Sequence, residues 1–278
     1  MRREQEMRAN KGTRKIAKAA GASAMAMMLA MTTLLGAVPQ KVSAAPAQEV
    51  KIVQLSVTTK YQVVTASHYT HEDGTMEASI KTPKVKGTSE AIQKFNKQMA
   101  SYTKKLEKQY KADVKKAKEE LGGTENGYES VTTTFKTTCN NDRYLSIQIL
   151  TTESMGSSNN ISKSFTLDKK TGKTMELKDF FKSGSDYQGV ISKEILAKMQ
   201  AEMKKDDSRV YYVEGSNAED GTYFNKIAKD QSFYINQNGK LTIVFDQGDI
   251  APNNMGICKF VIGKQAMKDI LKTNVALQ

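Results

Sequence analysis

The chain has 278 residues, with 42 lysines and arginines against 30 acidic residues, no tryptophan, two histidines and two cysteines. So few imidazoles and thiols leave little from which to build a metal centre, and the absence of tryptophan weakens a sugar-stacking role. Half of the formal charge of +12 belongs to the first 44 residues, so the remainder carries only a moderate basic excess. Such an excess suits an anionic wall or membrane surface better than nucleic acid, although a spread of solvated lysines explains it as well.

Arg2, Arg3, Arg8, Lys11, Arg14, Lys15 and Lys18 precede an Ala/Met/Leu-rich stretch from Ala19 to Val38, and "KVSAA" follows. This is the pattern of a Sec-type export signal, with cleavage expected after Ala44. The alternative is an uncleaved anchor and a membrane-tethered receptor, because ~20 apolar residues span a bilayer. No cysteine lies near the cleavage point, so lipidation is not expected.

After a short lead, residues 52–86 are rich in Val, Thr, Tyr and Ile and are interrupted by "HEDGT", where Asp73-Gly74 predicts the turn of a hairpin. Pro83 suggests an edge position or a strand exit, since it cannot donate to a ladder. Thr88 and Ser89 then introduce the clearest element in the chain. Ile92, Phe95, Met99, Tyr102, Leu106, Tyr110, Val114, Ala117 and Leu121 recur at helical spacing, and Gly122-Gly123 stops the run. A helix of this length spans ~50 Å and must lie across a sheet. Its opposite face is lysine-rich. That face is a candidate for binding an anionic polymer, or it is simply solvated.

From Tyr128 the period changes to two. "SVTTTFKTT", "YLSIQIL" and "ISKSFTL" predict three strands of an antiparallel meander, with a Ser/Asn/Gly-rich loop at residues 153–160. A second helix is expected from Asp186, its cap, to Lys205, followed by a polar loop over residues 206–221. "SFYINQNGKLTIVF" predicts a hairpin with Asn238-Gly239 in a type I′ turn. "DQGDIAPNNMG" is a corner leading into the strand "CKFVI", with Cys258, Phe260 and Ile262 on one face, and a helix over residues 264–272 closes the chain. The fold class is therefore α+β: antiparallel sheets packed by one long and two shorter helices. Two contiguous subdomains are expected, at residues 45–127 and 128–278.

Little in this pattern supports catalysis. His68 and His71 are three apart on a predicted strand, hence on opposite faces, and no third ligand accompanies them. No GxSxG elbow or phosphate-cradling glycine motif occurs. Cys139 as a nucleophile needs a histidine brought to it by the fold, and Asp246 with Asp249 is more simply a turn-shaping pair than an acid/base or calcium site. No metal, no cofactor and no enzymatic activity are expected. Cys139 and Cys258 are possible disulfide partners in an oxidising compartment.

"SKSFTLDKKTGKTMELKDFFKSGSDY" (residues 162–187) and "SFYINQNGKLTIVFDQGDIAPNNMGICKFVI" (residues 232–262) resemble, in content and order, the extracellular domain of the anti-sigma-V factor family, known as a lysozyme receptor. "YQVVTASHYT" and "ASIKTPKVKG", leading into the long helix, resemble the smaller domain that accompanies it, a pairing similar to one that precedes the catalytic module of some peptidoglycan deacetylases. The resemblance implies a non-catalytic binding domain outside the cell, with an extracellular protein or cell-wall ligand and no nucleic acid. It also implies that Asp249, Pro252 and Gly256 form a signature corner. Candidate binding residues are Asn253 and Asn254 at that corner, and Ser157, Ser158 and Asn159, which stand where the family carries a Gly-Gly-Ala-His type loop. Only about 18 residues precede the apolar stretch, too few for the family's sigma-binding region. Export with cleavage predicts Ala45 as the first residue of the released protein; N-terminal sequencing checks this, and an intact Met1 identifies a tethered form instead.

Overall fold

The structure is a computed structural model that describes residues 60–74, 76–120, 129–155, 157–216 and 223–278. The signal segment and its cleavage point after Ala44 lie outside the described residues. Two sheets form within the unit that runs from Leu55 to Gln278. Strands β1 (Val63–Glu72), β2 (Met76–Val85), β3 (Glu129–Asn140), β4 (Tyr144–Met155), β5 (Ser157–Asp168) and β6 (Lys173–Thr174) make the first, in that spatial order. Strands β7 (Phe233–Ile235), β8 (Leu241–Phe245) and β9 (Cys258–Ile262) make the second. Helices α1 (Glu90–Glu120), α2 (Tyr187–Lys205) and the short α3 (Lys264–Met267) pack on them, which is the α+β architecture expected.

The β1–β2 hairpin turns at Gly74, whose φ of +89° is open to glycine at no steric cost. Pro83 lies inside β2, opposite Thr65, where β1 carries a bulge between Thr65 and Ser67. The position is tolerable because β3 pairs with β2 only over Met76–Ser79, leaving the Pro83 side without a ladder. That β2–β3 pairing is parallel, an exception to the all-antiparallel sheets expected from the sequence. The reason is α1: a helix between two neighbouring strands returns the chain to the end where it began.

The apolar stripe of α1 fills two clusters on one face of the first sheet. Phe95 and Met99, both fully buried, meet Leu145, Ile147 and Leu167, and Tyr110 and Val114 meet Met76, Ile80 and Val131. Ser89 Oγ accepts from the Ile92 N–H at 3.3 Å, as expected of the cap. Tyr110 holds β1 through its hydroxyl, 2.6 Å from His71 Nδ1, while His68 Nε2 lies 2.8 Å from Ser79 Oγ. On the outer face Lys94 pairs with Glu90 at 2.6 Å, Lys111 with Glu107, and Lys118 with Asp73 at 3.0 Å, so the lysine face is partly neutralised by its own helix and by the first hairpin.

The third and largest cluster joins the sheets. It holds Cys139, Tyr144, Phe180, Phe181, Ile191, Ile195, Ile243, Phe260 and Ile262 among others, and Ser146 Oγ accepts from the Ile235 N–H at 3.2 Å across the junction. Asp186 caps α2, accepting from Gly189 N–H at 3.0 Å. The β7–β8 loop closes between Asn236 and Lys240, with Gly239 at φ +73°. Three residues at the tip and a left-handed glycine are the G1-bulge form, in place of the type I′ turn expected. The last helix is shorter than residues 264–272, because the chain leaves it to bridge Leu271 to Phe181.

The disulfide considered for Cys139 and Cys258 is not formed; both thiols are free and buried. They belong to different sheets with different neighbours: Cys139 lies by Asn141 and Lys169, and Cys258 by Gly256 and Arg209. Because Phe95 is fully buried and meets Phe165 edge-on at 6.4 Å, Phe95→Ala is expected to cost about 3–5 kcal/mol, read as a lower urea midpoint with an unchanged slope.

Candidate functional site

The residues expected to bind come from two segments, and the structure connects those segments through Gln247. The described residues of the 153–160 segment, 153–155 and 157–160, do not form the loop expected from their composition. They are the paired ends of β4 and β5, with Glu153 opposite Asn159, Ser154 opposite Ser158 and Met155 opposite Ser157. Polar side chains sustain this pairing across the strands. Ser154 Oγ lies 2.9 Å from Ser158 Oγ, and Thr152 Oγ1 donates to Asn160 Oδ1 at 2.8 Å. Ser157 and Ser158 are exposed at the tip and Asn159 is half-buried.

The second segment is the corner between β8 and β9. Asp246 N–H donates to Asp249 Oδ2 at 2.9 Å, and Asp249 N–H donates back to the Asp246 carbonyl at 3.1 Å, so the Asp246/Asp249 pair shapes a turn. Gly248 is obligatory here: its φ is +81°, and a Cβ would stand 2.6 Å from Asn253 Oδ1. Ile250 and Ala251 are buried beneath, and Pro252 leads into a 3₁₀ turn, Asn253–Met255, that ends at Gly256 with φ +61°. This turn leaves Asn253 and Asn254 exposed.

Gln247 joins the two segments. Its N–H donates to the Asn160 carbonyl at 3.0 Å, its Oε1 accepts from Asn160 N–H at 2.9 Å and from Asn160 Nδ2 at 2.7 Å, and its Nε2 donates to the Ser158 carbonyl at 3.1 Å. Asp246 Oδ1 accepts from Ser162 N–H at 2.7 Å, one step further along β5. Ser157–Asn159 and Asn253–Asn254 thus border one ridge. A cavity of about 320 Å³ lies at its foot, lined by Gln148, Leu150, Asn160 and Ile257 and by Lys136 and Lys259. Burial, with the nearby Lys136 charge, lowers the Lys259 pKa.

Gln247 and Asn160 were not legible as site residues. The only signal was their place beside the turn glycine and at the end of a serine/asparagine run, and neither reports a contact between residues 87 apart. No group of three or more His, Cys, Asp or Glu side chains able to hold a metal occurs among the described residues. Burial raises the pKa of both thiols, that of Cys258 to about 11, which keeps them in the weakly nucleophilic thiol form. Both histidines are engaged elsewhere, with Ser79 and Tyr110.

Residues 178–265, which span the corner and the whole of the second sheet, match the model of a family described as "Protein of unknown function (DUF3298)". Two solved members of that family share the fold: one from Bacteroides fragilis (TM-score 0.56, 15% identity) and one from Pseudomonas aeruginosa PAO1 (TM-score 0.50, 14% identity). Each comparison covers 78% of this chain and 96% of the other. Among curated proteins, the chain is 30% identical over 194 residues to anti-sigma-V factor RsiV of Bacillus subtilis (strain 168). The match covers 69% of this chain and spans 64% of that relative's length. These findings support the resemblance carried by residues 162–187 and 232–262. No helix among the described residues is long and apolar enough to cross a membrane.

Burial raises the Asp246 pKa to about 6, the Ser162 N–H opposing the shift and Asp249 reinforcing it. An acid whose folded pKa lies above its unfolded value stabilises the fold fully below the unfolded value, and that contribution is lost as pH rises through the folded one. The window is therefore about pH 4 to 6. Asp246→Asn keeps the acceptor for Ser162 and removes the charge. Its stability relative to the parent is expected to rise across this window by about 1–2 kcal/mol, measured by urea unfolding at pH 4 and 7.

Proposed function

We propose that this chain is an exported, non-catalytic binding protein that captures a ligand outside the cell with the ridge formed by Ser157–Asn159 and Asn253–Asn254. The observation that carries this reading is the clamp made by Gln247. Two exposed polar segments, far apart in sequence, are held in fixed relation by four hydrogen bonds from one side chain and its backbone. Binding loops on a rigid scaffold lose less conformational entropy when a ligand arrives. The similarity to an anti-sigma factor supports a sensing role, and it supports placing the domain outside the cell.

The ligand suggested by the resemblance is a lysozyme-like protein, recognised by strand-end loops. The lysine-rich face of α1 is the weaker candidate for ligand binding, because Glu90, Glu107 and Asp73 already neutralise part of it.

Titration with lysozyme at low salt is expected to show saturable binding, weakened at least about tenfold in Asn253→Ala/Asn254→Ala with the fold unchanged by circular dichroism. Absence of binding by the parent protein removes the lysozyme reading. Salt-sensitive retention on purified cell walls, unaffected by the same double substitution, moves the site to the α1 lysines.

A further inference from the structure

On the outer edge of β5, away from β4, the N–H groups of Asn160 and Ser162 are taken by Gln247 and Asp246. On the same edge the carbonyls of Asn160, Ser162 and Thr166 are taken by Gln247, Ser232 and Met175. Strand backbone groups alternate sides with a period of two, so the N–H and C=O of Ser164 point the same way. Among the described residues no strand covers them: β6 pairs only with Leu167 and Asp168. Ser164 Oγ is also buried, with no hydrogen-bond partner among the described residues.

This gap opens into a cleft of about 540 Å³ between β5, the turn that carries Leu177 and the segment ending at Phe233. Leu177, Phe233 and Tyr187 give it apolar walls, Tyr187 being fixed by stacking on Phe181 at 5.1 Å. Lys163, Lys178 and Lys229 border it against Glu176 and Asp230, one positive charge in excess. Lys178 is bound to Glu176 at 2.6 Å, whereas Lys229 makes no salt bridge among the described residues.

We propose that this cleft binds the carboxy-terminal end of a peptide. The occupied positions on either side leave one outward-facing residue of β5 to pair with, which suits a chain end and not a strand passing through. The last residue of the peptide donates its N–H to the Ser164 carbonyl, and its carboxylate accepts from Ser164 N–H and Oγ–H with the Lys229 ammonium as counter-charge. Its side chain, an apolar one, rests against Leu177, Tyr187 and Phe233. Two donors and a spare cation select the carboxy terminus over the amino terminus. The site is separate from the ridge and stands or falls without it.

The probe is N-acetyl-Ala-Leu with a free carboxylate, compared with its C-terminal amide, titrated into the ¹⁵N-labelled full chain. The acid is expected to shift the Ser164 amide resonance saturably and to bind at least about tenfold more tightly than the amide. Ser164→Pro removes the N–H and the hydroxyl at an outward edge position where proline is tolerated, and is expected to abolish binding. Lys229→Gln, at an exposed position, is expected to weaken the acid towards the level of the amide, and it carries the test where Ser164→Pro does not fold. Equal binding of acid and amide, no binding of the acid, or an unchanged affinity in Lys229→Gln overturns the proposal.

Discussion

The arrangement depends on how the outer edge of β5 is closed. An open edge of a six-stranded sheet exposes a row of amide and carbonyl groups that invite pairing with another chain. Here the second sheet's corner and the segment before β7 satisfy those groups at Asn160 and Ser162: the carboxylate of Asp246, the amide of Gln247 and, from before β7, the hydroxyl of Ser232. The same bonds tie the two sheets together. The corner cannot shift without uncovering the edge, and the edge positions the corner. A ridge built on such a mutual constraint is held by the same bonds that close the sheet edge.

Much of this fold was legible in the chain because its signals are local. The apolar stripe from Ile92 to Val114, the Asp73-Gly74 turn, the Asp186 cap and the alternation of "CKFVI" each report on neighbours a few residues away, and each formed as expected. The parallel β2–β3 contact was not legible, because nothing in residues 76–79 encodes the direction of a partner some 50 positions later. Residues 153–160 misled for a related reason. Serine and asparagine favour turns when considered alone, but here they satisfy one another across two strands, and composition does not record that.

The candidate site divides along the same line. Pro252, Gly256 and the paired asparagines stood out as a corner because their backbone demands are intrinsic to those residues. Gln247 did not, since a glutamine beside a turn glycine has no distinctive signature until Asn160 is brought to it. Cys139 and Cys258 drew attention by rarity alone, and the fold uses both as buried apolar filling.

The parallel contact at residues 76–79 also orders the history of the chain. The β3–β4 and β4–β5 pairs are hairpins between neighbouring strands and close short loops, whereas Met76 meets Glu129 only after the whole of α1 has been laid down between them. Loop closure over that distance is slow compared with hairpin closure. Met76 and Ile80 of the first hairpin already meet Tyr110 and Val114 of that helix, so the later strand Glu129–Asn140 adds Val131 to a cluster whose other members are nearer in sequence.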